Sequence, residues 1–362
     1  MIMISNDGFS PDWVSAPGET IIDLMDTYGL NEEELSKKVG LSVSKGRELI
    51  SGELVLTEKI ANKLEFIFDV STQFWLTREE KYRDRKNAIE LQNTEWVKSL
   101  PTSDMSRLGW LPKGLSGSKK LEHCLSFFGV SSVPEWLNFY KNKQTAIAFR
   151  KSEAFKTEEM AVLTWLKKAE HISRQQKTHS WDKEVLIASI NDIRKHSLEP
   201  HPKVFIPAIR AILADAGVAL VILPTPTGCP ASGATCFFEQ NKATLIMSFR
   251  YLRDDHFWFT LFHEIGHLVL HNCKQHRIEG VSGLSEKEEQ EANEFSSNVL
   301  IPQEYRAEFN TLSSRNWINI VKFSRKIGVS KGIVLGQLQH AKKVPFDHFS
   351  KFKVKYNRED LC

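Results

Sequence analysis

The sequence predicts an α+β chain. An all-helical module comes first, then a helical connecting region, then a C-terminal domain with a small β-sheet and a helix carrying His263-Glu264-Ile265-Gly266-His267. Three observations carry this expectation. Short amphipathic segments with sharp punctuation fill residues 18–76. Three β-rich runs occur only after residue 217. The histidine pentad sits inside an otherwise apolar helical stretch. A chain of 362 residues exceeds a usual single domain, and the expected boundaries are 18–80, 81–202 and 203–345.

In the front module, Thr20 to Tyr28 is helical by its Ile21/Leu24/Met25 spacing, and Gly29 stops it. Up to Pro17 the chain reads as an extended arm. Asn31 caps a second helix, Glu32 to Val39, with acidic residues at its positive end. Gly40-Leu41 turns the chain, Ser42 caps a third helix and Gly52 closes it. A fourth runs from Thr57 to Phe68, followed by the Phe74-Trp75-Leu76 cluster.

The charged run Arg78 to Glu95 predicts an exposed helix leaving this module. Residues 96–210 read as helical and loop-rich, with Trp96, Trp110, Trp136, Trp165 and Trp181 as core-building aromatics. A helix ending at Ala216 leads into a strand before Pro224. Gly233–Glu239 and Ala243–Phe249 are two further strands, joined by a Gln240-Asn241 turn. A helix over Asp254–Leu270 follows, then a polar loop, a helix over Ser285–Leu300, and two more after Asn316.

Composition excludes several classes. A net charge of +3 gives no whole-chain field for nucleic acid. No basic n-region precedes an apolar stretch, and no run of about 18 apolar residues is free of charge. The five scattered cysteines form no C-x-x-C pair, so a disulfide framework is not expected and a reducing cytoplasm is.

The pentad matches H-E-x-x-H. Residues i and i+4 share a helix face, so both imidazoles reach one ion, while the glutamate beside the first histidine faces the water of that site. Apolar neighbours on both sides argue for burial, where unpartnered histidines would be costly. A catalytic zinc needs a third protein ligand and an open position. The pattern with a third histidine fails, because Leu270 and Cys273 stand where Gly and His would be needed. The expected third ligand is Glu291 on the following helix, at the edge of the apolar side made by Ala292, Phe295, Val299 and Leu300. Glu286, Glu288 and Glu289 read as solvated surface, and His271 and Cys273 remain alternative ligands.

With Glu291-Ala292-Asn293 and Val299-Leu300-Ile301-Pro302 added, the segment from Lys203 to Gln339 resembles the ImmA/IrrE family of metallopeptidases. The resemblance implies a zincin-like domain, Zn2+ bound by His263, His267 and Glu291, and Glu264 as general base. It also implies a protein substrate of the repressor or antitoxin class. The front, from Pro17 to Leu76, resembles the XRE-type helix-turn-helix of HigA-like antitoxins, and Phe149-Arg150-Lys151-Ser152 and Trp165-Leu166 extend the likeness. That implies operator DNA as a partner, bound by a homodimer, with Ser42, Ser44, Lys45, Arg47 and Glu48 as candidate contacts.

Two features weigh against DNA. Gly46 stands where such a helix usually carries an apolar β-branched residue, and from Glu19 to Glu80 acids outnumber bases thirteen to seven. A partner-binding module is the alternative. Three functions then compete: a peptidase acting on a regulator, a transcriptional regulator or antitoxin whose zinc domain senses, and a toxin or phage-defence component. Glu264 favours the two that cleave. His256 and His271 are candidates for stabilising the oxyanion, the Ala243–Phe249 strand for holding substrate backbone, and Cys229 for masking the zinc.

Overall fold

The structure, a computed structural model, describes residues 15–142, 157–248, 250–271, 277–278 and 286–360. The front of the N-terminal arm, the 149–152 tetrad, Phe249, Cys273 and Ser285 lie outside the described residues. The chain divides into two compact units, residues 1–95 and 96–362.

The first unit contains α1 (Pro17–Tyr28), α2 (Glu32–Val39), α3 (Val43–Ile50), α4 (Glu58–Phe68) and most of α5 (Thr72–Ser99). Helix α1 begins three residues earlier than its apolar spacing predicts, because Pro17 suits a first helical turn. A capping box fixes the start of α2: Asn31 Oδ1 accepts from Glu34 N–H and Glu34 Oε2 accepts from Asn31 N–H. Gly40 closes α2 at φ 74°, a left-handed conformation that suits glycine. Ser42 then caps α3 through Lys45 N–H. Ile21, Leu35, Leu49, Leu64, Phe68 and Trp75 fill the core of this unit.

Gly46 is a packing residue. It is buried, and a Cβ there would run into the Ser36 side chain, 3.1 Å from its Cβ. The residue that looked like a weakness of α3 is what lets it lie close to α2. The charged run is a continuous part of α5 and is not wholly exposed: buried Glu79 accepts from Arg83 Nε (2.7 Å) and from Leu56 N–H (3.2 Å).

The second unit is built on a four-stranded sheet of order β1-β3-β2-β4, comprising β1 (Val218–Ile222), β2 (Gly233–Glu239), β3 (Lys242–Met247) and the two-residue β4 (Arg277–Ile278). Strands β2 and β3 form the expected hairpin, with Glu239 opposite Lys242. Strand β3 is central, parallel to β1 and antiparallel to β2, so both of its edges are taken. It cannot accept a substrate strand, contrary to the expectation for this segment.

Alternation along the strands serves two cores. Val218, Leu220, Ala243, Leu245 and Met247 join one, with α10 (Lys183–Lys195), α11 (Pro202–Asp215), α12 (Asp254–Leu270), α13 (Glu286–Leu300), α14 (Arg306–Thr311), α15 (Trp317–Ile327) and α16 (Lys331–His340). Val221, Ala234, Cys236 and Ile246 join the other, with Trp96, α6 (Thr102–Arg107), α7 (Gly117–Phe128), α8 (Val133–Asn142) and α9 (Thr157–Gln175). Residues 96–175 of the expected connecting region therefore form one wall of the sheet domain, while α10 joins the other core and residues 81–95 belong to the first unit. The region's tryptophans do build core: Trp96, Trp136 and Trp165 are buried, and Trp165 Nε1 donates to Leu223 O (3.0 Å). Among the described residues no helix is long and apolar enough to cross a membrane.

Candidate metal centre

Helix α12 spans Asp254–Leu270, the range expected from sequence, and almost every residue of it is buried. Its start is pinned from two sides. Asp254 Oδ2 accepts from Ser330 Oγ (2.7 Å) and Oδ1 from Val354 N–H (2.9 Å). Burial pushes the Asp254 carboxyl up to about 6 against these hydrogen bonds. Such anchoring fixes the axial position of the pentad two turns later.

His263 and His267 come together as i and i+4 predict, with their Nε2 atoms 3.0 Å apart. The third group is Glu289. Its Oε2 lies 3.4 Å from His263 Nε2 and its Oε1 lies 3.6 Å from His267 Nε2. Among the described residues, His263, His267 and Glu289 are the group whose ligand atoms all fall within 4.8 Å of one another.

Glu291, the ligand expected from sequence, points elsewhere: its Oε2 meets His271 Nε2 at 3.0 Å. Helix phase is the reason. At 3.6 residues per turn, Glu291 stands about 200° around α13 from Glu289. Glu289, Ala292, Asn293 and Ser296 follow i, i+3, i+4 and i+7 and all meet α12. A Cβ on Gly266 would be 3.3 Å from Ala292 Cα, so the glycine inside the pentad permits the close crossing. Asn293 Oδ1 lies 3.0 Å from His263 Nδ1, and Ser296 Oγ donates to Phe259 O (2.8 Å). The sequence signal for Glu289 was this stripe of small and polar residues, which the larger apolar side chains masked.

Glu291 keeps a place one step out. His271 Nδ1 lies 3.1 Å from His267 Nδ1, so Glu291, His271 and His267 form a chain. With the His271 Nε2–H donating to the carboxylate, its bare Nδ1 accepts from His267 and leaves His267 Nε2 unprotonated. Asn293 does the same for His263. Partners of this kind orient ligand imidazoles and raise their basicity. His271 is thereby held between Glu291 and His267.

The electrostatics suit a cation. Burial holds the His267 imidazole below its ordinary pKa; His263 and His271 act in the same direction and Glu289 opposes them. Burial alone would push the Glu289 carboxyl up, but the two imidazoles outweigh it and hold it at about 2. Glu289 Oε1 is buried without a hydrogen-bond partner among the described residues. Two Zn–N bonds of about 2.0–2.1 Å at a tetrahedral angle span about 3.3 Å, close to the observed imidazole separation. The donor set therefore fits a divalent ion.

Glu264 is 1% exposed, and the start of β2 lies against it: a Cβ on Gly233 would be 2.8 Å from Glu264 Cγ and 2.9 Å from its Cδ. Cys229 takes no part. It is buried in the other core, and burial pushes its thiol up to about 11, so it is no thiolate mask. His256 stacks on Tyr251, with ring centroids 4.4 Å apart.

Comparison with known proteins agrees with this geometry. Residues 220–338 match the IrrE N-terminal-like domain, Peptidase_M78. The matched segment carries His263, Glu264, His267, Glu289 and Glu291, and the likeness is to a metallopeptidase family, in line with the ImmA/IrrE resemblance. The match begins inside β1 and ends within α16, so it covers the sheet and the helices that hold the site. No curated protein compared with the chain matches it.

Proposed function

We propose that the chain is a zinc-dependent endopeptidase that hydrolyses a peptide bond in a cytoplasmic regulatory protein of the repressor or antitoxin class. The observation that carries this reading is the convergence of His263, His267 and Glu289, with Glu264 beside them, inside a Peptidase_M78 segment. Two neutral imidazoles and one carboxylate are the donor set of His₂Glu zinc peptidases, which keep a fourth position open. Zinc held there supplies Lewis-acid polarisation of the scissile carbonyl and acidifies water.

The chain's own residues do the rest. Glu264, next to His263 in sequence and walled by Gly233, takes the proton of the attacking water and returns it to the leaving amine. Asn293 and the His271–Glu291 chain hold the two imidazoles in place. The test is a metal and cleavage measurement on the full chain. One zinc per chain, removed by His263→Ala or Glu289→Ala, together with cleavage of a partner regulator that stops with chelation, supports the reading. Full zinc content in a His263→Ala/His267→Ala double variant would sink it.

The front unit we read as a docking module for operator DNA or a partner protein, acting through α3. Ser42, Ser44, Lys45 and Arg47 are exposed there, Glu48 half-buried. Arg47 is held by Glu32 at 2.8 Å, and Ser44 Oγ approaches Glu48 Oε1 at 3.5 Å. A basic side chain tied to an acid has less to offer phosphates. Mobility shifts on the chain's own promoter at low salt decide this: a salt-sensitive complex supports DNA, and none at all leaves the partner protein.

A further inference from the structure

A cavity of about 280 Å³ lies beside the first turns of α12, and a smaller hollow of about 20 Å³ adjoins it. Ser232, Tyr251, His256 and Thr260 line both. His256, Thr260 and Glu264 follow i, i+4 and i+8 on α12, so the two hollows lie along the helix face that carries Glu264. Ser232 is the residue before Gly233, which lies against Glu264. His256 stands two helical turns before His263, about 10 Å along the axis. An extended peptide covers that distance in about three residues. A substrate laid along α12 from the metal centre therefore reaches the hollows about three to five residues from its scissile bond.

The charge around them is one-sided. Arg250 and Arg253 line the smaller hollow, and both are exposed. Arg250 is held at the rim: its Nη1 donates to Pro230 O (2.7 Å), and its Cζ lies 5.9 Å from the centre of the Tyr251 ring, on which His256 stacks. Burial holds the His256 imidazole below its ordinary pKa, and the Lys353 and Arg253 charges act with burial against Asp255. The Arg253 charge is thus felt at the ring that lines both hollows. Asp255 is the one acid lining either of them, and it forms a buried pair with Lys353, Oδ2 to Nζ 2.5 Å. That pair carries no net charge. Neither arginine meets an acid among the described residues, which leaves two guanidiniums free to take one.

We propose that this rim is a substrate subsite for a carboxylate, and that the peptides cleaved carry Asp or Glu about three to five residues from the scissile bond. The proposal rests on the peptidase reading above and names its substrate class. A carboxylate matches the planar donor fork of a guanidinium. A lysine or arginine in its place would face two like charges, and an uncharged side chain would gain nothing from either.

The test is binding before cleavage. A randomised peptide library is panned on the zinc-loaded full chain carrying Glu264→Gln, and on the same protein with Arg250→Gln and Arg253→Gln added. Exposed charge contacts are weak singly, so successive rounds should build an enrichment of Asp or Glu of about tenfold at one position. The arginine substitutions should abolish it. Panning the protein with both arginines in about 1 M salt, where charges are screened beyond ~3 Å, should abolish it too. The salt arm depends on no arginine variant, and melting curves check that the variant folds. No acidic enrichment, enrichment of basic or apolar residues in its place, or acidic enrichment that survives salt or the folded arginine variant overturns the subsite. The selected peptides, and the same peptides with the acid replaced by its amide, are then given to the parent chain. Chelator-sensitive cleavage that favours the acidic peptides supports both readings. Equal cleavage of acid and amide removes the subsite and leaves the peptidase, whereas selective binding without cleavage removes the peptidase and leaves the subsite.

Discussion

Glu291 Oε2 lies 3.0 Å from His271 Nε2, and His271 in turn meets His267, so the glutamate two residues past Glu289 acts on the metal site through another ring. Removing the two acids should therefore have different consequences. Glu289→Ala takes away a ligand and should abolish tight zinc binding. Glu291→Ala should leave zinc bound but about 10- to 100-fold more weakly, the usual effect of losing an outer partner. Competition with a chromophoric chelator measures both. Equal loss in the two variants, or a larger loss for Glu291→Ala, would return the ligand role to Glu291.

Gly233→Ala should impair catalysis without emptying the site. The added Cβ has no room beside Glu264 Cγ and Cδ, so the carboxylate must move. His263, His267 and Glu289 are not in that contact. Expected is a fall in kcat of roughly 10²-fold or more, in the range set by losing a general base, with zinc content near that of the parent. Normal turnover in the variant would show that Glu264 tolerates displacement.

Gly46→Ala should destabilise the front unit by about 1–3 kcal/mol, since it forces a methyl group into the Ser36 side chain at a closed helix contact. Ser36→Ala in the same protein should recover part of the loss, because it removes the hydroxyl nearest the new methyl. Thermal unfolding of the two single variants and the double variant reads both effects. Strictly additive losses would mean that the crowding lies elsewhere.

Asp254 gives the second unit a pH dependence of a definite sign. Its pKa is raised from 3.8 to about 6 by burial, so between those values the folded chain binds more protons than the unfolded chain. Its contribution is fully present below about pH 4 and is lost as pH rises through 6. A shift of about two units corresponds to roughly 3 kcal/mol. Asp254→Asn keeps hydrogen-bonding partners for Ser330 and Val354 but cannot titrate. The difference in stability between parent and variant should therefore change in the variant's favour from pH 4 to pH 7. Chemical unfolding at several pH values measures it, and a flat difference would rule this carboxyl out.

Much of the site could be read from residue order because its information is local. The i, i+4 spacing of His263 and His267 and the apolar residues around them define α12 without reference to any other element. The Gln240-Asn241 turn defines the β2–β3 hairpin in the same way. What escaped was non-local. That β3 is central depends on parallel pairing with β1, more than twenty residues away in sequence. The phase of α13 could not be set from its large apolar residues alone: Phe295 does pack on Gly266, but Ala292 lies against the same glycine and Ser296 bonds the Phe259 carbonyl, which turns the face carrying Glu289 toward α12. Helices α6–α9 carry no signal of their own that they cover a sheet. Their partners Val221, Ala234 and Ile246 come much later in the chain.

Glu264→Gln separates an enzyme from a metal-binding regulator. Glutamine keeps the size and shape of the side chain beside Gly233 but cannot accept a proton, so melting temperature and zinc content should stay near those of the parent. Loss of a general base costs about 10²–10⁴ in rate. Cleavage of the partner regulator should fall by that factor, and the uncleaved partner should accumulate in a complex with the variant that gel filtration can isolate. The histidines and Glu289 are untouched, so a loss of activity cannot be assigned to a missing ion once zinc content has been measured. A sensing role makes the opposite demand, because it needs the ligands and the fold and has no use for a base. If the Glu264→Gln chain represses, poisons or protects as the parent does, the buried carboxylate against Gly233 is a structural group and the regulator reading replaces the peptidase.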